Sequence, residues 1–132
     1  MAGYSGTPLA KKLGLRDGMR AHVVDVPDEL RELFTALDVK PRLKGPLDYV
    51  HVFTTDEASL AKLLPRIAEA LGDKGMLWIS WPKKASKRPT TVDEHVTRAL
   101  GLKTGLVDVK VCAVDDVWSG LKFVRRVKDR SR

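Results

Sequence analysis

Two stretches of this chain are apolar almost without a break. They are Tyr49-Val50-His51-Val52-Phe53, within Asp48 to Thr54, and Met76-Leu77-Trp78-Ile79-Ser80-Trp81. Apolar runs that do not alternate suit strands covered on both faces, the condition of parallel sheets flanked by helices. Between the two runs, Leu60, Leu64, Ile67 and Leu71 recur at helical spacing. A parallel pair needs a crossover of a dozen or more residues, usually a helix. The centre of the chain is therefore predicted to be a βαβ unit, and the fold class α/β.

The flanking sequence extends the pattern. Thr7-Pro8 opens a short helix, with Thr7 as N-cap, Pro8 at the first helical position and Gly14 at C′. Met19 to Val26 reads as a strand. Pro27 then starts a helix to about Leu37, with Leu30, Leu33, Phe34 and Leu37 on one face. Val39 to Lys44 reads as a short strand that Pro41 confines to an edge. Thr54 and Glu57 form a capping box for the helix to Leu71, which Pro65 should kink or restart. Gly72 and Gly75 frame a turn. A second capping box, Thr91 and Glu94, starts a helix that ends at Gly101. Leu106 to Val114 alternates better, Val107, Val109, Val111 and Ala113 against Asp108, Lys110 and Cys112, as expected of a strand with one wetter face or at an edge. Asp115 to Gly120 is a turn, and Leu121 to Arg126 returns as a hairpin partner.

The 132 residues suit one domain, residues 1–127, followed by a basic tail, 128–132. A single cysteine, Cys112, excludes an intrachain disulfide and a thiolate metal cluster, and is compatible with a reducing cytoplasm. No apolar run approaches the ~20 residues that span a bilayer, and Met1 to Arg16 has no apolar signal-peptide core. A cytoplasmic protein without membrane contact is expected. The net charge of +7 is localised. Segments 83–88 and 122–132 together carry +9, leaving −2 for the other 115 residues.

Motifs for catalysis are sparse. His22 and His51 lie within predicted strands and read as packed or hydrogen-bonded, while His95 reads as a surface residue beside Glu94. No histidine has metal-ligand spacing to another, and neither a Gly-x-Ser-x-Gly elbow nor a P-loop lysine motif occurs. Neither a catalytic residue, a metal nor a cofactor is expected. Cys112 reads as structural, opposite the Val107–Val111 face. Asp115-Asp116 reads as solvated turn residues, with cation binding as the rival.

Leu9 to Val26, with its Gly-Leu turn and a strand ending near an acid, resembles the start of class I S-adenosylmethionine-dependent methyltransferases. Leu47 to Trp81 is similar to the central half of that fold, and the last hairpin to its reversed seventh strand. Three further segments, Gly3 to Pro8, Trp81 to Lys87 and Val109 to Gly120, resemble a family of small bacterial proteins known as a domain of unknown function. The resemblance implies a single Rossmann-like, methyltransferase-like, mostly parallel sheet. Its order would be 2-1-3-4-6-5, with an antiparallel last strand and helices on both faces. Two cofactor features of the methyltransferases are missing. Asp25-Val26 runs into Pro27 without glycine, and the expected end of the second strand reads Pro41-Arg42-Leu43-Lys44, with no acid.

Ligands of open α/β sheets bind beyond the carboxyl ends of the strands, where the loop Pro82 to Pro89 leaves the sheet. The candidate ligand-binding residues are Trp81, Lys83, Lys84, Ser86, Lys87 and Arg88, joined by Gly3, Ser5, Gly6 and Thr7 from a segment that the resemblance carries across the same edge. Trp81 either packs or stacks on a base, and Ser86 offers a hydroxyl donor to phosphate oxygens. The sequence reading favours a non-catalytic module for an anionic small molecule, a nucleotide, RNA or an acidic partner. Its rivals are a divergent methyltransferase, a protein-interaction domain or homodimer pairing through Leu106–Val114, and a basic loop that is merely a solvated connection.

Overall fold

The computed structural model describes residues 8–130. Six strands form one sheet in the order β2-β1-β3-β4-β6-β5. They are β1 (Arg20–Val24), β2 (Asp38–Val39), β3 (Leu47–Phe53), β4 (Leu71–Pro82), β5 (Leu106–Ala113) and β6 (Trp118–Arg125). β1 to β4 are mutually parallel, and β6 runs antiparallel to both β4 and β5. The expected α/β class and strand order are both present.

β3 and β4 are buried on both sides, as their apolar runs require. Val50, Val52, Leu77, Ile79 and Trp81 face α2 (Glu57–Ala70) and α3 (Glu94–Lys103). Tyr49, Phe53, Met76 and Trp78 face the other layer, built from α1 (Leu9–Lys12) and the segment after β1. That segment, Asp28–Phe34, winds as a 3₁₀ helix rather than the expected α-helix. Its apolar face is the expected one, with Leu30, Phe34 and Leu37 buried. A 3₁₀ helix rises about 2.0 Å per residue against about 1.5 Å for an α-helix, so a short connection spans more sheet. β2 is shorter than expected. Lys40 N still donates to Ala21 O, and Pro41, which has no N–H, ends the ladder.

Both expected capping boxes are displaced by two residues. Asp56, not Thr54, caps α2 by accepting from Ser59 N, and Asp93, not Thr91, caps α3 by accepting from Val96 N. The threonines are used elsewhere. Thr54 N prolongs the ladder to Ser80 O, and Thr91 Oγ1 accepts from Glu57 N at 2.8 Å. Pro8, expected at the first helical position, occupies the N-cap position of α1 instead. Gly14 takes the expected left-handed turn, φ +76°. α2 runs through Pro65 without restarting. Its C-terminal carbonyls, Ala68 O and Leu71 O, accept from the Arg125 guanidinium, so part of the basic C-terminal segment is structural.

The expected Gly72–Gly75 turn is instead an irregular opening of β4. A Cβ at Gly75 would lie 2.6 Å from Leu47 O. Gly101 does not end α3 either; the left-handed residue beyond it is Gly105, φ +91°. Gly101 lies inside the helix because a Cβ there would collide with the buried Phe123 ring. Gly101→Ala is therefore expected to lower stability by about 1–3 kcal/mol, as overpacking does. Urea denaturation checks it, and an unchanged midpoint would contradict this packing.

Candidate functional site

The parallel strands end together at Val24, Val39, Phe53 and Pro82, and the basic loop leaves from this edge. Lys83 N donates to Val117 O at 2.7 Å, tying the loop to the turn before β6. Lys84–Ser86 form one 3₁₀ turn, and Lys87 is left-handed at φ 59°. Ser86 Oγ donates to Lys83 O at 2.7 Å and accepts from Arg88 N. Its hydrogen is therefore spent inside the loop, a correction to its expected role as a phosphate donor. What Ser86 supplies is internal order.

Between this loop and the start of α3 lies a cavity of about 340 Å³ whose lining includes Lys83, Lys84, Lys87 and Arg88 together with Thr90, Thr91 and Asp93. Trp81 is 5 % exposed and packs in the core below α2 and α3, so it forms cavity wall and offers no free ring face for a base. Among the described residues, no carboxylate pairs with any of the four cations. The Asp93 carboxylate already serves the α3 cap. Gly3, Ser5, Gly6 and Thr7 lie outside the described residues. Asp115 builds its turn by accepting from Val117 N and Trp118 N.

A second concavity, about 760 Å³, opens at the ends of β1 and β2 and is lined by Asp25, Val26, Arg31, Phe34 and Val39 among others. Asp25 adopts φ 54°, a left-handed conformation that glycine would take without strain. β2 ends at Val39, not in the Pro41–Lys44 stretch. The acid in β2, Asp38, lies at its start, paired with Lys40 at 2.8 Å.

Sequence reading missed a buried polar chain. Tyr49 OH lies 2.9 Å from His51 Nδ1, and His51 Nε2 lies 2.7 Å from Ser80 Oγ. His51 also stacks on Phe53, with ring centroids 4.2 Å apart. The available signal was positional. Tyr49 and His51 share a strand face, and Ser80 lies on the adjoining strand, opposite Phe53. A serine beside a histidine base has the contacts of an activated nucleophile. Here His51 and Ser80 are both 0 % exposed, so no substrate reaches them and the chain is structural. His22 is likewise hydrogen-bonded, to Lys40 O at 2.9 Å. Burial pushes the Tyr49 phenol far above its ordinary value.

Burial also holds the His51 imidazole down at about 3. The unfolded chain, with an ordinary value near 6.5, takes up this proton first. Stability is then complete above about pH 6.5 and falls as pH drops toward 3. His51→Gln should flatten that slope whatever its absolute cost. Urea midpoints from pH 7 to pH 4 measure it, and equal slopes in both proteins would refute it.

Comparison with known proteins places this geometry. No family model matches the chain, and no curated protein matches it in sequence. Solved structures do match. A SAM-dependent methyltransferase from Aquifex aeolicus superposes with TM-score 0.63 at 16 % identity, over 86 % of this chain and 85 % of that one. The precorrin-6y C5,15-methyltransferase of Geobacter metallireducens gives 0.57 at 8 % identity, over 89 % and 86 %. A "possible exported protein" from Bordetella parapertussis gives 0.58 at 13 %, and this chain spans 66 % of its length. The fold is methyltransferase-like. Identities this low carry architecture and no activity. Among the described residues, no helix is long and apolar enough to cross a membrane.

Proposed function

We propose that this protein is a non-catalytic binding module that takes an anionic ligand, a phosphate, nucleotide or RNA, at the carboxyl edge of its sheet. The observation that carries this reading is the loop itself. Four cations border one cavity on a segment already ordered by Ser86 and Lys83, and among the described residues none of them is ion-paired to a carboxylate. Ordering before binding lowers the entropic cost of capture, and clustered cations focus the field on an incoming anion. In this reading the protein is cytoplasmic and belongs to the small bacterial family that its segments resemble.

Lys83→Ala/Lys84→Ala should weaken binding of a single-stranded RNA oligonucleotide, followed by fluorescence anisotropy. The wild-type log–log salt slope should be about −0.7 per phosphate contact, and flatter in the variant. Equal affinity and slope in both proteins would reduce the loop to a solvated connection.

A second reading, a divergent methyltransferase, draws on the 760 Å³ concavity at the ends of β1 and β2. It is the weaker one. Pro27 and Asp25 stand where backbone must approach the cofactor, and Lys40 follows β2 where an acid would hold ribose hydroxyls. Titration calorimetry with S-adenosylmethionine should give no heat of saturable binding, and micromolar affinity would reverse the ranking. Pairing of two copies through β5 draws on Val109 and Val111, 51 % and 44 % exposed on the sheet edge.

A further inference from the structure

β5 contains an irregularity with an electrostatic result. Asp108 pairs with Phe123 and Lys110 with Lys122, which leaves Val109 as an extra residue. Such a bulge re-aims the side chains that follow it. It places Lys110 on the sheet face of Lys122 and Trp78, and it moves Cys112 there as well. The expectation that Cys112 opposes Val107 is thereby corrected. Both residues lie on this face, and Val111 lies on the other.

Two lysines thus stand directly opposite each other on an antiparallel pair, an arrangement of like charges that destabilises a sheet. Lys110 Nζ lies 6.0 Å from the Trp78 ring centroid. Lys122 is half-buried, and burial, then the Lys110 charge, pushes its ammonium below the ordinary lysine value. Burial raises the Cys112 thiol, and the charges of Lys110 and of Lys12, in the last turn of α1, partly offset that rise. The nearest acid along the strand, Asp108, faces the other side and is held by Arg98 at 3.0 Å. Among the described residues, no ion pair involves Lys12, Lys110 or Lys122.

We propose that Lys110 and Lys122 form a second anion site, on the sheet face turned away from α2 and α3, that takes a multiply charged phosphate compound. Ammonium groups are compact point charges with three donors each, suited to phosphate oxygens from several directions. The indole of Trp78 favours a cation above it and holds Lys110 near the sheet. Bound phosphate replaces the repulsion between the lysines with attraction to a common centre. The site is independent of the loop at residues 83–88, which borders a cavity beside α3.

Cys112 is the only cysteine, so its alkylation reports on this site alone. The probe is inorganic tripolyphosphate at low ionic strength, with the full chain and iodoacetamide as the neutral reagent. Neutralising the nearby cations raises the thiol pKa, so alkylation should slow saturably, by roughly five- to tenfold for a rise approaching one unit. Lys110→Met, at an exposed position, and Lys110→Met/Lys122→Met should abolish most of this slowing, whereas Lys83→Ala/Lys84→Ala should keep it. Without tripolyphosphate, Lys110→Met should melt no lower than the wild type, since it relieves a repulsion. Slowing that does not saturate, that persists in both lysine variants, or that disappears only in the loop variant would overturn the proposal.

Discussion

The structure depends on burying β3 and β4 from both sides. A strand with no wet face cannot be covered by one layer. The chain must therefore send helices to one side and an aromatic layer to the other. The same burial makes an unpartnered polar group between them costly. His51, 0 % exposed at the centre of β3, is accommodated only because Tyr49 and Ser80 engage its two ring nitrogens. Leaving such a group unsatisfied costs about 1–3 kcal/mol. His51 thus ties β3 to β4 through side chains in addition to the backbone ladder.

Features set by local pattern were legible in the sequence. The two apolar runs specified the central strands, and periodicity specified the buried faces of α2 and of the 28–34 segment. Features set by a distant partner were not. Thr54 and Thr91 have the right chemistry for capping, but Thr54 N joins the ladder to β4 while its hydroxyl bonds the Asp56 backbone, and the Thr91 hydroxyl accepts from Glu57 N of α2, so the caps fall on Asp56 and Asp93. Gly101 has the signature of a helix stop, yet Phe123, met across the sheet, is what requires a glycine there. The alternation in β5 misplaced Cys112 because one unpaired residue, Val109, shifts every later side chain to the opposite face.

The candidate site divides the same way. Its cations stood out as a run without acids. The inward turn of the Ser86 hydroxyl and the burial of Trp81 depend on how the loop folds back, which composition does not encode. The basic C-terminal segment looked equivalent to the loop by charge count. The fold separates them, because Arg125 is spent on the end of α2 and Lys122 lies within the sheet.

The threonine contacts also make one joint of two distant pieces of chain. Thr91 N and Thr90 Oγ1 both donate to Thr55 O, while Thr91 Oγ1 accepts from the first turn of α2. The segment that leads from the basic loop into α3 is thus fastened to the start of α2, more than thirty positions earlier. Displacing the entry to α3 therefore means breaking hydrogen bonds at the start of α2 as well, so the two helices are held in one register by side chains outside either of them.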